Sequence, residues 1–148
     1  MDRTSSMGLW TYSHNFMIAA SELVKLNNDH TDGPAYYLIS HSIELSLKAF
    51  LRGSGLSLDE LKSWKNLGHD LCKCLSKAEA LGLNYYIDIL DIEKWAISKI
   101  NDYYSEKELE YIVVGYKQYP KIDLLISFNE KLLSAIRQFC FDKRDLHS

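Results

Sequence analysis

The stretch HSIELSLKAFL, residues 41–51, decides the fold. It is dense in apolar residues yet carries a His, a Glu and a Lys, and it contains no helix breaker. On a helical wheel at about 100° per residue, Tyr37, His41, Glu44, Lys48 and Arg52 fall within one stripe roughly 80° wide. Leu38, Leu45 and Ala49 lie to one side, and Ile39, Ile43, Leu47 and Phe50 to another. Ser42 and Ser46 are small enough to let a neighbouring helix approach closely. The pattern predicts a central helix, contacted by several others and opening one narrow polar stripe. That stripe is either solvated surface, helped slightly by the Glu44–Lys48 spacing, or the wall of a cleft or partner site. In the second case its His and Glu, beside an aromatic ring, could bind a ligand or transfer protons.

Helical patterns extend outward on both sides. Trp10, Met17, Ala20, Leu23 and Val24 predict a helix over 7–26, closed by a polar run that ends at Gly33. Pro34 suits the first turn of the central helix, which runs to 51 or 52 before Gly53-Ser54-Gly55. Ser57 with Glu60 three residues later is a capping box and opens a short third helix. A fourth is expected over 68–81, with Leu67, Leu71, Leu75, Ala78 and Leu81 as its buried stripe and Gly82 as its stop. A fifth is expected over 85–104, with Ile89, Ile92, Ala96 and Ile100 on one side. Residues 110–117 are β-branched and aromatic and read as an extended connection or short strand. Pro120 opens the last helix, over 121–139 or 121–141, with Ile122, Leu125, Ile126, Leu132 and Ile136 as core candidates, before a polar tail.

The bulk numbers agree with this layout. A chain of 148 residues suits one domain over 1–148 with a single core, and 2 Pro and 7 Gly are too few for many tight turns. The expectation is an all-α antiparallel bundle of about five to six helices. A net charge of -3 gives no global pull toward nucleic acid or anionic membranes. No stretch is long and apolar enough to span a bilayer, and the first residues do not read as a signal peptide. Three cysteines, an odd count, then point to reduced thiols and a cytoplasmic setting. Cys72 and Cys74 lie about 200° apart on a helix, which suits two separate faces better than a metal site. The five His are scattered and no Gly-rich phosphate loop occurs, so neither a metal nor a cofactor is expected.

Two further clusters have plain and functional readings. His69-Asp70 opens the fourth helix, where Asp suits the helix dipole; alternatively His69 joins His41 and Glu44 in a composite polar pocket. Tyr103, Tyr104, Tyr111, Tyr116 and Tyr119, interleaved with Lys107, Lys117 and Lys121, suit bundle packing or a dimer interface better than a base-stacking surface.

The order of these elements resembles the HEPN superfamily of small helical domains found in higher eukaryotes and prokaryotes and associated with nucleotide binding. The Glu44-Leu45-Ser46-Leu47-Lys48-Ala49 core and the Gly68-His69-Asp70-Leu71 step carry the resemblance, which covers 35–82 well and the remainder by helix count. Many HEPN proteins are metal-independent ribonucleases, acting as toxins or in antiviral defence. They use an Arg followed after four to six residues by a His, repeated across a homodimer. Here Arg3, Arg52 and Arg137 have no such His, and Arg144 has His147 with only two residues between. The resemblance therefore implies a non-catalytic member, a homodimer that binds a nucleotide or RNA, or pairs with a nucleotidyltransferase- or antitoxin-type partner. Its ligand would meet Tyr37, His41, Glu44, Lys48, Arg52, His69 and Asp70. The competing readings are a divergent ribonuclease using His41, Glu44, Lys48 and His69, and a purely structural dimeric module.

Overall fold

The structure, a computed structural model, describes residues 4–27, 33–63, 67–106 and 119–145. Among these residues the regular structure is entirely helical. The elements are α1 (Ser6–Asn27), α2 (Gly33–Gly53), α3 (Leu58–Lys62), α4 (Leu71–Ala80), a 3-10 turn (Leu83–Tyr85), α5 (Asp91–Tyr104) and α6 (Ile122–Asp142). None of the helices is long and apolar enough to cross a membrane. The segment 110–117, read from sequence as extended, lies outside the described residues.

Helix α2 is the hub and touches all five other α-helices. Ile39, Ile43, Leu47 and Leu51 along it are fully buried, and Phe50 is nearly so. Each such side chain contributes about 1.5–3 kcal/mol by leaving water. Its contacts with α1 run in opposite order, Ser6 to Ala49 and Ser13 to Ser42, so these two helices are antiparallel. Its contacts with α6 run in the same order, Ser46 to Asn129 and Phe50 to Phe139, so those two are parallel. The helices α3–α5 make the return passage between them.

Small polar residues register this three-helix core. Ser13, Ser42, Ser46 and Asn129 are all fully buried. Ser13 Oγ donates to the Ser42 carbonyl at 2.7 Å, Ser46 Oγ donates to Asn129 Oδ1 at 2.6 Å, and Asn129 Nδ2 donates to Ser42 Oγ at 2.7 Å. At one end of the bundle Gly53 lets Phe139 approach so closely that a Cβ there would sit 2.6 Å from its ring.

Two helix starts differ from the sequence expectation. Helix α4 begins at Leu71 rather than Gly68, because Asp70 is its N-cap and accepts from the Lys73 amide at 3.0 Å. Gly68 instead adopts a left-handed φ of 49° in the preceding turn. Helix α5 begins at Asp91 rather than Tyr85, with the Glu93 carboxylate accepting from the Leu90 amide at 2.9 Å. Tyr86 closes the 3-10 turn in a helical conformation and packs on Phe50 and Phe139, and residues 87–90 carry no regular structure before Leu90 caps α5. The expected faces shift accordingly: Ile92 and Leu81 are exposed, whereas Ile97 and Glu93 are buried. The α3 capping box forms as its spacing predicts.

Candidate functional site

The polar stripe of α2 does not face bulk water. Glu44 is 3% exposed, Lys48 8% and Arg52 6%, while Tyr37 and His41 are half-buried. Tyr104 of α5 and Gly68 and His69 of the turn before α4 close over its middle, and the carbonyls of Thr4 and Leu56 hold Arg52 at its end.

Glu44 is the centre. Its Oε1 accepts from the Tyr104 hydroxyl at 2.5 Å and from His69 Nδ1 at 2.9 Å. Its Oε2 accepts from Lys48 Nζ at 2.7 Å. Because the Tyr104 proton points at Glu44, the Tyr104 oxygen accepts from His41 Nδ1 at 2.9 Å. A continuous hydrogen-bonded path therefore links His41, Tyr104, Glu44 and His69. Lys48 also donates to the Gly68 carbonyl at 2.7 Å, which fixes the turn that presents His69.

This arrangement sets the charge at each position. Burial opposes ionisation of Glu44, but the hydrogen bonds from His69, Lys48 and Tyr104 and the Lys48 charge outweigh it and hold the carboxyl at about 2. Burial, followed by the adjacent carboxylate, raises the Tyr104 phenol far above its ordinary range, so it stays neutral. Nδ1 of each histidine serves this path, so a proton exchanged between His69 and a ligand in a neighbouring cleft would pass through Nε2.

The remaining predicted residues have other partners. Tyr37 stacks on His41 with centroids 5.9 Å apart and also packs against Tyr104. Asp70 caps α4 and accepts from Asn101 Nδ2 at 3.0 Å, so this helix N-terminus already holds its own anion. Arg52 is separate from the cluster and ties the Thr4 carbonyl to that of Leu56, each at 3.0 Å. The structure thus brings together Tyr37, His41, Glu44, Lys48 and His69, leaves Asp70 adjacent and places Arg52 elsewhere.

A cleft of about 670 Å³ opens beside Glu44 and His69. Leu9, Leu45, Leu58, Leu61 and Leu67 contribute its apolar lining, with Lys62, Lys73 and Glu106 among its charged residues. The side chain of His69 is 56% exposed, against 4% for that of Glu44, so it is the half of the pair that a ligand can reach. The volume lies within the range of about 300–1,000 Å³ usual for small-ligand sites.

No protein-family model, curated protein or solved structure matches the chain.

Three of these parts had weak sequence signals. Tyr104 reads from sequence as one of a tyrosine-rich group, yet it is the buried bridge between the histidines. Lys62 and Lys73 reach the cleft from separate helices. Of the tyrosine-rich group, Tyr103 packs on Tyr119 with centroids 5.0 Å apart, while Lys107, Tyr111, Tyr116 and Lys117 lie outside the described residues. Thiol chemistry has little support at neutral pH. Burial pushes Cys74 up to about 12 and Cys140 to about 11, and it also raises Cys72. Among the described residues no group of three or more His, Cys, Asp or Glu could hold a metal ion.

Proposed function

We propose that the chain is a HEPN-like helical domain that binds a nucleotide, free or at the end of an RNA, in the cleft beside His69 without turning it over. One observation carries this reading: an exposed imidazole, held in place by a buried carboxylate, stands over a leucine-lined cleft that Lys62 and Lys73 also line, alongside Asp70, Glu106 and the Glu44-engaged Lys48. The leucines suit the face of a base, and the imidazole and lysines suit a phosphate. In this reading the domain works as a cytoplasmic homodimer, in a toxin–antitoxin or defence setting. A sedimentation mass of one chain at all concentrations would remove the dimer.

The test is titration of the purified protein with AMP, ATP and a short single-stranded RNA at low salt, where phosphate contacts are strongest. Saturable binding is expected, weakened about tenfold in His69→Ala, the loss that follows from one charge-assisted hydrogen bond. Absence of saturable binding by all three ligands would overturn the reading and leave a structural interaction module.

The path from His41 to His69 favours a second reading, a divergent metal-independent ribonuclease. An imidazole oriented by a carboxylate is poised for proton transfer with a ribose hydroxyl. Cleavage of total RNA, abolished by His41→Ala and by His69→Ala at unchanged helix content, would replace the non-catalytic reading with this one.

A further inference from the structure

We infer that His41 and His69 titrate as a coupled pair on Glu44, so that a proton held by either one weakens the hold of the other on the next. Both rings address the same oxygen, with Nδ1 at 2.9 Å from Glu44 Oε1 for His69 and 3.9 Å for His41. Lys48 already occupies the second oxygen. Glu44 and Lys48 cancel, so the first imidazolium gives the cluster one positive charge and the second gives it two. The side chains of His41, Glu44 and Lys48 are 23%, 4% and 9% exposed, so water screens that end of the cluster poorly. The His69 side chain, 56% exposed, is screened more strongly and limits the size of the coupling.

The surroundings set the midpoints, while the shared oxygen sets the coupling. Tyr37 and Lys48 face the pair from α2, and the apolar Phe16 ring meets His41 from α1. Neutral Tyr104 meets both rings from α5. Asp70 adjoins His69 in sequence but is engaged by the Lys73 amide and Asn101. Lys62, Lys73 and Glu106 stand on the cleft, and the protonated Cys74 thiol lies in the field of Glu44 and Lys48 behind it.

The consequence deepens the binding reading above and rests on it. An anion seated at His69 retains a proton there, so binding alters the charge that His41 meets: the added proton acts through the shared oxygen, and the anion's own charge acts against it from the cleft. His41 is not among the residues that line the cleft. Ligand binding is therefore felt at a residue the ligand does not touch.

Proton NMR titration of the histidine ring signals tests this in the parent, His41→Asn and His69→Asn proteins. In the parent, whichever ring protonates second is expected to have its midpoint rise by about half a pH unit or more when the other is replaced. If the remaining ring keeps its parental midpoint in both variants, the pairing is wrong. His41→Gln replaces His41→Asn should the latter fail to fold, as judged by spectral dispersion. Inorganic phosphate and AMP are then added to the parent protein. Movement of the His69 and His41 signals together supports both the pairing and the binding. Coupling seen between the variants, with no response to either ligand, sustains the pairing and removes the binding reading alone.

Discussion

Glu44 occupies a position where an ionised group survives only because every lone pair it turns inward has a donor. Taking a carboxylate out of water costs several kcal/mol, and an ion pair alone does not reliably return it. The carboxyl is held at about 2 in the folded chain against an ordinary 4.5. Between those values the unfolded chain binds more protons than the folded one. The stabilisation is therefore complete above pH 4.5 and is lost as pH falls toward 2, and it amounts to about 3 kcal/mol. Urea unfolding measured across this window is expected to show that loss. Glu44→Gln should remove this slope and cost about 3–5 kcal/mol at neutral pH, because Lys48 is left buried without its counter-ion. An unchanged acid slope in the variant would mean that Glu44 is not the group responsible.

At the scale of elements, the turn before α4 does two jobs with adjacent residues. Asp70 closes the helix end while His69, fixed through Glu44 and Lys48, faces outward. Replacing Asp70 with Ala removes the N-cap and the Asn101 contact together, so a loss of about 1–2 kcal/mol is expected in chemical denaturation. Asp70→Asn should retain most of it, and equal losses in the two variants would show that capping is not the cause. Helix existence was legible because apolar spacing repeats over whole elements. Helix starts were less so, since Asp70 could equally sit in a first turn, and only the geometry of Gly68 distinguishes a cap from a turn. The stripe on α2 was legible as a stripe. Its burial was not, because burial depends on His69 and Tyr104, 25 and 60 residues away in sequence from Glu44.

At the scale of the molecule, parallel α2 and α6 are locked at two levels, by the serine–asparagine cluster in the middle and by Gly53 against Phe139 at one end. A Cβ on Gly53 would lie 2.6 Å from the Phe139 ring and 2.9 Å from Ser6 Oγ. Gly53→Ala is therefore expected to cost about 1–3 kcal/mol, as overpacking does. Adding Phe139→Leu should return part of that cost in a double-mutant cycle. Strict additivity of the two changes would show that the helices do not meet there as described.

The unequal burial of the three thiols has a practical use. Cys74 and Cys140 are sealed in the core, whereas Cys72 is half-exposed on α4. A maleimide fluorophore applied at mildly alkaline pH should therefore label one position, two residues from the Asp70 cap and beside Asn101. Its emission would follow the turn that carries His69, giving a real-time reporter of cleft occupancy without adding a cysteine to the chain.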